Sequence, residues 1–228
     1  MNTLIIHSSK NKQPLHDATG AFIPEAMAFA SEHQIPMSNV LPLDCLQGVG
    51  ARMSEVEFFL HAAGEKKIGM LAFFCHGWSG GIQTGHTLSK IPRLLAALSS
   101  YPRDLRIMFY CCWTADGDGE VDNRPVGVAT DGGFSDKLRD GMLAAGFDGG
   151  WVDGHKTPGH TVKNPNVVRF LVDVKKDFDG DHDIQGGAYL VQPGSARWAK
   201  WVHALQGRYR FRFPFATEEE IHAAIEML

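Results

Sequence analysis

The chain has 228 residues, 44% of them hydrophobic and 21% charged, with a net charge of −4. That size and composition suit one large globular domain, and the mild acidity gives no electrostatic reason to expect nucleic acid or an anionic membrane as partner. The start carries no basic segment before its short apolar run, so no secretory signal is expected, and no apolar run is long enough to span a bilayer.

In chain order, "TLIIHSS" is an apolar run closed by polar residues and predicts a first strand. "FIPEAMAFASEHQ" has helical spacing at Ile23, Ala26, Met27 and Ala30. "NVLPLDCL" predicts a second strand, with Pro42 as a mark against it. "SEVEFFLHAAGEKK" predicts a helix capped by Ser54 and ending near Gly64. "KIGMLAFFCHG" is nearly all apolar, as a central parallel strand covered on both faces must be. "LSKIPRLLAALSS" predicts a helix with Ser89 as cap, and "LRIMFYCCWT" another buried strand. "FSDKLRDGMLAAGF" predicts a helix from near Ser135 closed by Gly146, and "FDGGWVDGH" a short strand.

The order β-α-β-α-β-α-β-α-β predicts a three-layer α/β fold, a mainly parallel sheet with helices on both faces. We expect a single domain over 1–228, with residues 190–228 as a C-terminal appendage packed on it. In that tail "ARWAKWVHALQ" and "TEEEIHAAIEML" have helical patterns and "RYRFRFPF" alternates like an edge strand. Residues 115–133 and 176–187, rich in Gly and Asp, are the expected flexible loops.

The four cysteines, Cys45, Cys75, Cys111 and Cys112, form no C-x-x-C pair and no dense disulfide framework. Reduced thiols in the cytoplasm are the expectation. Neighbours on an extended strand point to opposite faces, which argues against a Cys111–Cys112 disulfide.

In an open parallel sheet, functional groups collect at the carboxyl ends of the strands. Two predicted strand ends carry reactive residues: "FFCHGWSGG" with His76 and Gly77, and "FYCCWTA" with Cys111 and Cys112. One helix separates them, so the two strands are expected to be neighbours, with an imidazole beside a thiol. Alternation alone does not choose between Cys111 and Cys112.

A hydrophobic strand ending in His-Gly, a helix, and a hydrophobic strand ending in Cys resembles the caspase-like cysteine peptidases, which include caspases, metacaspases, gingipains and CHAT domains. "CHGWSGGIQTGHTLSKI" is similar to the family pattern of His-Gly, a glycine-containing turn, a short hairpin and a helix, and "CCWTA" to the Cys-x-Thr-Ala ending of CHAT domains. The match covers about residues 66–155. It implies a caspase-like fold and a Cys-His endopeptidase acting on a peptide or protein. His76 would be the catalytic histidine and Cys112 the nucleophile, with the amides of Gly77 and Cys112 as the oxyanion hole. Cys111, where the family usually has a small residue, would then be a packed core thiol. The substrate-binding positions of the family fall on His7–Lys10, Tyr110 and Asp153–His155. Asp153 would suit a basic substrate side chain, and Lys10 the opposite. A catalytically inactive caspase-like binding or scaffold module is the alternative.

Neither a cofactor nor a metal is expected. "DGDGEVDN" (Asp116 to Asn123) and "DFDGDHD" (Asp177 to Asp183) lack the full spacing of calcium loops and read as solvated turns. Some metacaspases respond to calcium, which is the one opening the resemblance leaves for that ion. Asp153, His155 and His160 leave a zinc site open, but their spacing is loose and no full ligand set is evident. No G-x-S-x-G elbow accompanies "HGWSGG", which puts an α/β-hydrolase reading well behind.

Overall fold

The computed structural model describes residues 2–10, 19–116, 133–155, 166–172 and 182–185. The elements run β1 (Asn2–Lys10), α1 (Thr19–Glu32), β2 (Val40–Asp44), α2 (Val49–Ala63), β3 (Ile68–Phe74) and a small hairpin of β4 (Gly77–Trp78) and β5 (Gly81–Ile82). They continue with α3 (Ile91–Ala97), β6 (Arg106–Tyr110), α4 (Gly133–Ala144), β7 (Gly150–His155), β8 (Asn166–Val172) and β9 (His182–Gln185).

All strands except the hairpin join one seven-stranded sheet in the order β2-β1-β3-β6-β7-β8-β9. The first five are parallel, and β8 and β9 are added antiparallel. The α/β alternation predicted from the sequence is thus present from β1 to β7. β2 lies at a sheet edge, which is why Pro42 is tolerated there.

The strands alternate between two covered faces. Leu4 and Ile6 of β1, Leu71 and Phe73 of β3, and Ile107 and Phe109 of β6 face α2, α3 and α4 through Val56, Leu60, Leu94, Leu138 and Met142. Ile5, Ala72, Phe74, Met108 and Tyr110 point the other way, onto Phe22, Ala26 and Phe29 of α1. Helices therefore cover both faces, and the strands between them must be apolar on both sides. On the α2–α4 face the rings of Phe73, Phe109 and Phe134 pack in series, with centroids 5.2 and 5.5 Å apart.

Four local expectations are corrected. α2 begins at Val49 after Gly48, five residues before the expected cap at Ser54. Its added first turn is exposed and has no apolar signature. It is fixed instead by Arg52, which donates to the carbonyls of Cys45, Gln47 and Gln83. Ser89 lies within a 3₁₀ turn, Leu88–Lys90, ahead of α3 rather than capping the helix. β8 has no expected counterpart, because a strand with no preceding helix does not fit the alternation. β9 falls inside the stretch expected as a loop, residues 176–187. The appendage 190–228, the acidic stretches 117–123 and 177–181, and His160 lie outside the described residues. Among the described residues no helix is long and apolar enough to cross a membrane.

The chain leaves β1 toward β2 at one edge and leaves β3 toward β6 on the other side. β1 and β3 are neighbours, so their connections diverge beyond their carboxyl ends, the position at which open α/β sheets commonly bind ligands.

Candidate active site

His76 lies two residues beyond the last residue of β3, where the connections of β1 and β3 diverge. Phe74 pairs with Tyr110 and the Sγ atoms of Cys75 and Cys111 are 3.5 Å apart, so the two strands remain side by side up to their ends. Cys75 and Cys111 both belong to the α2–α4 core. His76 lies instead against α1: its half-buried ring packs edge-to-face with Phe22, the centroids 5.0 Å apart.

Gly77 shows how tightly the two strand ends meet. A Cβ built on it would lie 2.7 Å from Cys111 Cβ, 2.8 Å from Thr114 Cγ2 and 2.9 Å from the Cys112 carbonyl oxygen. No side chain fits there. The His-Gly sequence is therefore what permits the imidazole-bearing strand end to touch the turn that carries Cys112.

The two adjacent thiols differ in surroundings. Cys111 is fully buried and its Sγ also lies 3.6 Å from the Phe73 carbonyl oxygen. Burial, reinforced by the neighbouring Cys75, pushes its thiol well above the usual range. Cys112 keeps 7% exposure and begins the turn beyond β6. Cys45, at the end of β2, is likewise a core thiol, pushed up to about 11 by burial. A thiol held protonated is a poor nucleophile, and that description fits the core thiol Cys111.

The turn after Cys112 is built for close packing. Trp113 adopts a left-handed backbone (φ 51°) and exposes 41% of its surface. Thr114 is buried, and its carbonyl accepts from the Ser135 amide at the start of α4 at 2.7 Å. The Ala115 amide donates to the His155 carbonyl at 3.0 Å, which ties the turn to β7.

The expected substrate-binding residues Tyr110, Asp153 and His155 all lie beneath the surface. Tyr110 packs between Phe74, at 5.1 Å, and the edge of His155, at 5.5 Å. His7, which pairs with Phe74, continues this row on β1 and is buried too, which lowers its imidazole pKa. Both oxygens of Asp153 accept from Arg169 of β8, each at 2.8 Å. Its charge is thus matched within the sheet, and binding a basic substrate side chain is not a role this geometry supports. The Lys10 side chain lies outside what the structure describes.

Sequence reasoning missed Gln83, in the loop after β5. Its Oε1 accepts from Ser8 Oγ at 2.6 Å and from the His76 amide at 3.2 Å. Its own amide donates to the His76 carbonyl at 2.8 Å. A glutamine in a glycine-flanked hairpin carries no signal of such a contact. Nearby, buried His86 joins Thr84 Oγ1 (2.9 Å) to Glu57 of α2 (3.4 Å), and Glu57 pairs with Arg93 of α3. Burial lowers the His86 pKa, and Glu57 opposes the shift. This array fixes the hairpin to the helices behind it. Among the described residues no group of three His, Cys, Asp or Glu side chains is arranged to hold a metal ion.

Compared with known proteins, the chain matches no family model, no curated protein and no solved structure.

Proposed function

We propose that this chain is a caspase-like cysteine endopeptidase, with Cys112 as nucleophile and His76 as its acid–base partner. The observation that carries the reading is the contact of Gly77 with the Cys111–Thr114 turn, which brings the His-Gly strand end against the strand end bearing the less buried thiol. The caspase-like pattern of His-Gly and Cys at adjoining strand ends supports it, as does the position of His76 just past β3, where the connections of β1 and β3 diverge.

A free thiol is only a few per cent ionised at neutral pH, so attack needs a base. His76 accepts the Cys112 proton as sulfur adds to the peptide carbonyl. The carbonyl electrons move onto oxygen, and the Gly77 and Cys112 amides donate to that oxyanion. One such donor contributes about 3 kcal/mol to transition-state stabilisation. His76 then gives its proton to the departing amine, leaving a thioester. Water, deprotonated by His76, attacks the thioester and releases the carboxylate and the free thiol. The four cysteines are free, which suits a reducing, cytoplasmic setting.

A peptide-library cleavage profile, with Cys112→Ala as the blank, tests the proposal. Cleavage that disappears in the blank is expected. Identical profiles from both proteins, or none from either, would leave the fold as a binding or scaffold module.

A further inference from the structure

We infer that Gln83 is the positioning residue for both halves of the catalytic apparatus, the His76 imidazole and the Gly77 oxyanion donor. The inference rests on the peptidase reading and extends it to a residue that touches no substrate atom.

β1 pairs with β3 only as far as His7 and Phe74. Beyond that point the His76 N–H still needs an acceptor, and a backbone donor left unpaired is costly. Gln83 Oε1 supplies the missing carbonyl at 3.2 Å. Because His76 N–H can only donate, the contact also fixes which end of the side-chain amide faces it. Ser8 Oγ donates to the same oxygen at 2.6 Å and holds it from β1. The Gln83 backbone carbonyl, which would be the ordinary partner across the hairpin, is taken instead by Arg52 Nε at 2.9 Å.

The second bond acts on the neighbouring peptide. Gln83 N–H donates to the His76 carbonyl at 2.8 Å. That carbonyl and the Gly77 N–H belong to one planar trans unit, so they point in opposite directions. Holding the carbonyl toward Gln83 aims the Gly77 N–H away from the hairpin. One residue thus fixes the backbone on both sides of the His76 Cα and the direction of the oxyanion donor.

Two substitutions separate this role from simple support of the fold. Gln83→Glu keeps an oxygen acceptor for both Ser8 and His76, whereas Gln83→Leu removes it at similar volume. The probe is a tripeptidyl acyloxymethyl ketone with the sequence most cleaved by wild-type protein; Cys112 sulfur displaces its carboxylate to form a thioether. We expect Gln83→Leu to lower the maximal inactivation rate at least tenfold with half-saturation changed less than threefold. Gln83→Glu should retain more than a third of the wild-type rate. In Gln83→Leu the His76 amide should exchange its hydrogen at least tenfold faster, while amides of β6 keep their protection. A Gln83→Leu protein that inactivates at the wild-type rate, in a wild type that reacts at Cys112, overturns this inference alone. A wild type that does not react at Cys112 overturns the peptidase reading beneath it, and the exchange data then report a structural clamp only.

Discussion

Gly77 sits against Cys111 with no room for a methyl group: an added Cβ would come within 2.7 Å of Cys111 Cβ. This contact ties the segment after β3 to the turn after β6, the two segments that carry His76 and Cys112. Gly77→Ala must push the strand ends apart or displace the turn. Overpacking of this kind costs about 1–3 kcal/mol, so a melting point lower by several degrees is expected. Cys112 reactivity toward a peptidyl electrophile should fall more than tenfold, because the same displacement moves the oxyanion donor. Calorimetry and inactivation kinetics on one preparation check both.

Asp153 and Arg169 form a two-pronged ion pair across β7 and β8, with the Asp153 side chain only 2% exposed. Arg169 also lies over the Trp151 ring at 4.1 Å, as does Arg106. Arg169→Leu removes the two-pronged partner of a buried carboxylate and should cost about 3 kcal/mol. Asp153→Leu combined with Arg169→Leu should recover most of that loss in urea unfolding. A double variant no more stable than the single would show that the carboxylate is held by other groups.

The end of α1 offers a gain in stability. Gln34 has φ 54°, the Ile35 amide donates to the Ala30 carbonyl, and the Gln34 amide donates to the Ser31 carbonyl. This is the helix ending in which glycine is favoured at the left-handed position. Gln34→Gly should raise stability by about 0.5–1 kcal/mol, read as a melting point higher by a few degrees, with no change in Cys112 reactivity.

Acid should weaken the fold through His7 and His86. Burial lowers the pKa of both from the ordinary value of 6.5. Above that value both states are neutral and neither histidine contributes. Below it the unfolded chain takes up protons that the folded chain refuses, so stability falls with pH until the folded-state pKa is reached. Urea midpoints should therefore decline from about pH 7 to pH 5. His7→Leu should decline less steeply over that range, and a parallel decline would remove His7 from this account.

Much of the architecture was legible in the residues. "KIGMLAFFCHG" and "LRIMFYCCWT" had to be strands covered on both faces, and β3 and β6 are the two central neighbours. His76, Gly77 and Cys112 stood out as candidates because they lie just past the ends of those runs. The start of α2 was not, since Val49–Arg52 is held by Arg52 reaching distant carbonyls rather than by a periodic apolar face. Asp153 read as a free carboxylate because its partner, Arg169, lies on a strand that the alternating pattern did not anticipate. Gln83 was invisible for a related reason: its role depends on where β1 stops pairing with β3, a tertiary fact with no local signature.

The central claim is that Cys112, and no other thiol, is activated by His76. Mass-spectrometric mapping of adducts from a library of tripeptidyl acyloxymethyl ketones tests it most directly. The account predicts modification at Cys112 alone, lost in His76→Ala, with Cys45, Cys75 and Cys111 untouched in the folded protein. Modification shared among the four cysteines, or modification of Cys112 that His76→Ala leaves unchanged, would contradict it.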